Sequence, residues 1–152
     1  MNNFRMFIYS LVLAVLLYFQ AEKSYLPNEG INEDLSGHWT SEIQTIEKTC
    51  KRKVILPYKV LVDFGDTEGA IGYCQRFING FKIIIDKHYW NVILDEAGKK
   101  QLLLHEMMHC IYKIDHNKQD PGNFMYPEYT KISEPDLINQ LRELLKQTKN
   151  CD

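Results

Sequence analysis

The segment His105-Glu106-Met107-Met108-His109 constrains this chain more than any other. On a helix, residues four apart share one face, so His105 and His109 can turn two imidazoles toward one metal ion. Glu106, one step round, can then reach a water held by that metal. Leu102, Leu103, Leu104, Met107, Met108 and Ile111 make the surrounding stretch apolar. Titratable groups are costly in such surroundings unless something pairs with them. An ordinary amphipathic helix with two surface histidines does not explain that pattern, whereas a bound metal does. Hydrolytic zinc needs three protein ligands and one open position, so a third ligand is expected close by.

The chain continues Cys110-Ile111-Tyr112-Lys113-Ile114-Asp115-His116, and Met125-Tyr126-Pro127-Glu128-Tyr129 follows. HExxH, a short linker, a third ligand and then a Met-containing turn resemble the metzincin zinc peptidases. Met125 to Tyr129 is similar to the M-Y-P-x-Y stretch of the matrixin branch. His105 to Cys110, closed by Asp115-His116, is similar to small bacterial metallopeptidase-like proteins that carry HELGHC. The resemblance runs from about Gly72 to Tyr129. It implies an α/β (α+β) zincin-like core: a twisted mixed sheet with an antiparallel edge strand, an active-site helix and a C-terminal helix. It also implies one catalytic Zn2+, Glu106 as general base and Met125 as an apolar floor beneath the ligands. Pro127 and Tyr129 would wall the pocket for the substrate residue after the scissile bond.

The metzincin pattern is not met in full. It has Gly three residues after the second His, where the chain leaves the helix with positive φ; here that residue is Tyr112, which resists such a φ. The usual third ligand comes six residues after the second His, at Asp115, and His116 comes one later. Either a wider turn brings His116 to the metal, or Asp115 binds through a carboxylate oxygen. Imidazole suits zinc well and favours His116, leaving the other residue to support the ligands from behind. Glu134 is a third-ligand candidate of the gluzincin kind, but its place at a helix start is better explained by the helix dipole. Tyr126 does not match the Tyr of the astacin branch.

The activity these residues imply is peptide hydrolysis by a metal-activated water. Its rivals are a catalytically silent zinc-containing module that grips peptides, and a zinc hydrolase of a non-peptide substrate. An intact Glu106 argues against the first, since a binder needs no base. A strand able to pair with substrate would argue against the second.

At 152 residues the chain has room for one domain, and 45% apolar with 25% charged residues is a globular composition. A net charge of −2 gives no reason to expect nucleic acid. Residues 1–21 stand apart: Arg5 precedes an apolar run from Met6 to Phe19, broken by Ser10. This reads as a signal peptide or an N-terminal membrane anchor, short of the roughly 20 residues that span a bilayer. Residues 22–34 read as a linker and 35–152 as the metallopeptidase domain. The expected setting is export, whether secreted, periplasmic or held at the envelope through residues 6–19, with the protein a monomer acting on peptide or protein. In an exported chain the four cysteines allow two disulfides. Cys74–Cys110 would join a strand to the zinc helix, and Cys50–Cys151 would tie down a terminus. Four reduced thiols are the alternative for a cytosolic chain.

Leu35, Trp39, Ile43, Ile46 and Cys50 recur at helical spacing, which predicts a helix from Ser36 to Cys50. Val54 to Phe64 reads as a strand, with Tyr58, Val60, Val62 and Phe64 to one side. Ile71–Ile78 and Phe81–Ile85 flank Asn79-Gly80, a hairpin signal. Asp95 caps a helix running to about Lys113, and Ser133 caps a last helix striped by Leu137, Ile138, Leu141, Leu144 and Leu145.

Overall fold

The computed structural model describes residues 30–148. Strand β1 is only Gly30–Ile31, and helix α1 follows at once, Glu33–Cys50. Asn32 caps that helix, its side-chain oxygen accepting from the Asp34 amide at 3.0 Å. The Asn32 amide donates to the Val62 carbonyl at 2.9 Å, and its side-chain amide donates to Asp63 at 2.6 Å. The expected linker 22–34 is therefore overturned over residues 30–34. A two-residue strand is too short to show a period, which is why sequence pattern missed it.

Strands β2 (Lys59–Phe64), β3 (Gly72–Phe77) and β4 (Gly80–Ile85) complete a mixed sheet of order β1-β2-β4-β3. β1 and β4 run parallel to β2, and β3 is an antiparallel edge strand. A π-helical turn, Tyr89–Ile93, leads into helix α2, Glu96–Tyr112, and helix α3 spans Glu134–Gln147. Asp95 and Ser133 cap those helices as their sequences predict. The molecule is thus a small α+β fold with the expected antiparallel edge strand.

The predicted strand from Val54 begins five residues late, at Lys59, and Tyr58 lies outside it. Pro57 has no amide proton to give a ladder. The hairpin exists, but not with Asn79-Gly80 at its turn. Phe77 pairs with Gly80, so the loop residues are Ile78 and Asn79, and neither has positive φ. Gly80 serves a neighbour instead: a Cβ there would fall 2.0 Å from the Lys59 carbonyl oxygen of the adjoining strand.

Helix α2 is buried on nearly every side, with Leu103, Leu104, Met107 and Met108 at zero exposure. It lies along β3 and β4 and packs on α1, which in turn packs on α3. Each buried side chain of this size contributes about 1.5–3 kcal/mol. Four of them outweigh any helix propensity, so packing fixes the orientation of this helix and of its histidines. Cys74–Cys110 forms as expected and bolts the same helix to the edge strand. Cys50 is also disulfide-bonded; its expected partner Cys151 lies outside the described residues, as does the expected signal peptide or anchor at 1–21. No helix of the described residues is long and apolar enough to cross a membrane.

Glu42 breaks the apolar pattern. It sits on the buried stripe of α1 at 2% exposure, with Oε2 lacking a partner. Burial raises its carboxyl from 4.5 to about 7, with Lys100 opposing the shift. Between those values the folded state holds more protons than the unfolded one, so stability falls as pH rises through this window. Glu42→Gln is expected to flatten that fall and to add on the order of 2 kcal/mol above pH about 7. Urea unfolding of both proteins on either side of the window measures it; equal pH dependence would refute it.

Candidate metal centre

The α2 register brings His105 and His109 to one side of the helix, and the chain beyond it returns His116 to them. The Nε2 atoms of His105 and His109 are 3.0 Å apart, and those of His105 and His116 are 3.2 Å apart. One ligand atom from each ring lies within 4.8 Å of the others. These three residues can hold a metal ion.

Proton bookkeeping says why. His105 Nδ1 lies 2.7 Å from the Phe124 carbonyl, and His109 Nδ1 contacts the Ile114 carbonyl. A carbonyl only accepts, so both Nδ1 atoms carry hydrogen, and in the neutral rings both Nε2 atoms are bare lone pairs. Two lone pairs facing each other at 3.0 Å repel and cannot hydrogen-bond. A shared proton is a poor remedy, because burial pulls His105 down to about 4, and His109 and His116 oppose its charging further. Burial also lowers His109 and His116. A divalent cation removes the repulsion. Zinc–nitrogen bonds of about 2.0–2.1 Å set tetrahedral edges of about 3.3 Å, close to the separations here.

Glu106 is the second sign of a cation. Its side chain is 4% exposed and its Oε2 has no partner. Burial alone pushes its carboxyl up to about 8. A divalent cation nearby favours the carboxylate and offsets that shift. Room for Glu106 comes from Gly72 on the edge strand, where a Cβ would stand 3.2 Å from Glu106 Oε1. The carboxylate opens into a cavity of about 430 Å3 whose walls include Ile71, Tyr89, Tyr126, Pro127 and Tyr129. Beside His109 a second cleft is bordered by Tyr73, Cys74 and Arg76 of β3.

The turn beneath the site is pinned from α3. Gln140 Oε1 accepts from the Phe124 amide at 2.8 Å, and its Nε2 donates to the Gly122 carbonyl at 2.9 Å. The Phe124 carbonyl then orients His105. Met125 is buried; its amide donates to the Asn123 side chain and its carbonyl accepts from the Asn117 amide. Gln101, also buried, ties down residues 130–132 through the Thr130 carbonyl and the Ile132 amide. Phe124, Gln140, Gln101 and Gly72 were missed by sequence reasoning. Only Asn123 left a readable trace, since Asn two residues before a turn amide is an Asx-turn signal.

His116, not Asp115, joins the cluster; the Asp115 carboxylate is exposed and outside it. The departure at Tyr112 has a local answer. The left-handed residue that ends α2 is Lys113, with φ 60°, one place later than the missing Gly. That conformation costs a non-glycine residue about 1 kcal/mol. The Lys113 and Ile114 amides both donate to the Met108 carbonyl, closing the end of the helix. The turn is one residue longer, and His116 arrives instead of Asp115. Glu134 pairs with Lys100 at 2.6 Å in the first turn of α3. His38 packs edge-on against Trp90, and His88 is exposed; neither belongs to the cluster.

No protein-family model, no curated protein and no solved structure matches this chain.

His116→Ala is expected to cost more zinc affinity than Asp115→Ala in equilibrium titration against a chromogenic chelator. The reverse order would move the third ligand to Asp115. In the same titration Gln140→Ala should weaken binding by roughly tenfold or more while the fold persists, the usual worth of a residue that orients a ligand. Unchanged affinity would show that the Phe124 carbonyl needs no such support.

Proposed function

We propose that this chain is a zinc-dependent endopeptidase of the metzincin type, exported and acting as a monomer on peptide or protein. One observation carries the reading: bare imidazole nitrogens of His105 and His109, joined by His116, converge beside a buried carboxylate, Glu106, whose Oε2 has no partner. The buried Met125 and the cavity wall of Pro127 and Tyr129 support it, as does the Cys74–Cys110 disulfide for an oxidising compartment.

His105, His109 and His116 would hold the zinc, which would supply Lewis acidity to polarise a scissile carbonyl and acidify water. The Glu106 carboxylate would take a proton from the water as the water oxygen bonds to the carbonyl carbon. Glu106 then passes that proton to the leaving nitrogen as the C–N bond breaks. The Phe124 and Ile114 carbonyls keep both histidines in the tautomer that leaves Nε2 free. Burial around Glu106 excludes bulk water from the proton's path. The outer edge of β3 lies beside the cleft, so an extended peptide adds to the sheet as a further antiparallel or parallel strand.

The protein should carry about one zinc per chain, and His105→Ala or His109→Ala should lose it. Glu106→Gln should keep zinc and fold but lose peptide cleavage by about a hundredfold or more. Elemental analysis and a peptide-library digest measure both. Folded protein without metal would end the catalytic reading. Zinc-loaded protein that binds peptides and cleaves none would make it a binding module.

A further inference from the structure

Six large apolar residues are well exposed among the described residues, and four of them gather at one end of the sheet. Ile55 is 89% exposed, Leu56 37% and Tyr58 88%, all on the loop before β2; Ile78, at the hairpin tip, is 69% exposed. The backbone holds these two segments side by side. The Lys59 amide donates to the Asn79 carbonyl at 3.1 Å, and Lys59 pairs with Gly80. Between loop and tip runs a groove of about 560 Å3, larger than the cavity at the metal cluster. Contiguous apolar exposure of this kind marks an interaction site.

The charge around it is mainly positive, with Lys53 paired to Glu47 at 2.8 Å. From Lys48 to Val62 the chain carries Lys48, Lys51, Arg52, Lys53 and Lys59 and no Asp or Glu, in a protein of net charge −2. Lys113 borders the groove from the end of α2. The end of the fold is significant too. β1 runs parallel to β2, with Gly30 opposite Leu61, so the chain enters the sheet from the end that bears Tyr58 and Ile78. Upstream of that entry point the sequence holds the apolar run Met6–Phe19.

We infer that this end of the domain docks onto an anionic lipid bilayer, with Ile55, Leu56, Tyr58 and Ile78 entering the interface and the Lys51 and Lys113 cations meeting lipid phosphates. Protruding side chains suit a soft phase that closes around them; a rigid partner would need to be hollowed to receive them. Tyr prefers the interfacial depth, and cations near an anionic surface add attraction that salt screens. A second copy of the chain is disfavoured because two like-charged patches would face each other. The leader and the patch then form a two-signal attachment, the combination that makes peripheral binding stable. Arg76 borders both the groove and the cleft beside His109, so docking sets the metal cluster close to the membrane surface. The inference stands apart from the proposed chemistry and is tested without any activity.

The test uses the full chain with its leader disabled by Leu13→Arg and Leu17→Arg, so that binding reports the patch. Sedimentation with vesicles of phosphatidylcholine and phosphatidylglycerol should recover this protein, and phosphatidylcholine alone should recover much less. Ile55→Ser with Tyr58→Ser, all at exposed positions, should lower partitioning tenfold or more. Lys51→Gln with Lys113→Gln should lower it by a similar factor and flatten its salt dependence. Near-ultraviolet circular dichroism checks that each variant is folded. Absent binding, or binding unmoved in the folded variants, would overturn the inference. So would a patch-dependent dimer in size-exclusion chromatography without vesicle binding, which would assign the face to a second copy.

Discussion

Two imidazole nitrogens 3.0 Å apart, each in a ring whose other nitrogen already donates to a carbonyl, set the terms for everything around them. That arrangement is repulsive by itself. It persists because α2 is held by packing that owes nothing to the histidines: Leu103, Leu104, Met107 and Met108 are fully buried between sheet and helices. The apolar stability of the fold holds a polar constellation in a geometry it would not adopt alone, ready for a cation. Glu106 belongs to the same logic, as a carboxylate kept dry and unpartnered where a neighbouring positive charge would welcome it.

Three separate devices transmit that order outward. The Cys74–Cys110 bridge joins the helix to the edge strand, so the cleft wall and the ligands move as one body. Gln140 spans from α3 to the turn at Phe124, whose carbonyl holds His105. Lys113 takes the left-handed turn that delivers His116. Each device is modest in energy, but all three act on the position of nitrogen lone pairs, where small displacements matter most. The end of the sheet that bears Tyr58 and Ile78 has a different character, with exposed apolar tips among cations.

Much of this was legible in the chain. The i, i+4 histidines, Glu106, the caps Asp95 and Ser133, the antiparallel pair β3–β4 and the pairing of Cys74 with Cys110 follow from helical period, capping chemistry and strand–helix adjacency. These are local rules, and local rules survive folding when no long-range contact opposes them. Where the reading failed, a distant partner had intervened. Gly80 looked like a turn residue, yet it is small because Lys59 passes 2.0 Å from where its Cβ would be. Residues 30–34 looked like linker because β1 exists only through its pairing with β2. Glu42 lay unseen on a buried stripe whose apolar members alone carried the pattern.

The sequence by itself determined which residues can bind a metal and on what element two of them stand, since spacing on one helix is a property of the chain alone. The tertiary structure decided the third ligand. His116 and Asp115 are adjacent in sequence and both are chemically able, and only the path of the chain after Lys113 selects between them. It also decided that Gln140, Phe124 and Gly72 serve the site, because a hydrogen bond or a gap between residues far apart in the chain has no period and no motif. Such contacts exist only once packing has brought their segments together.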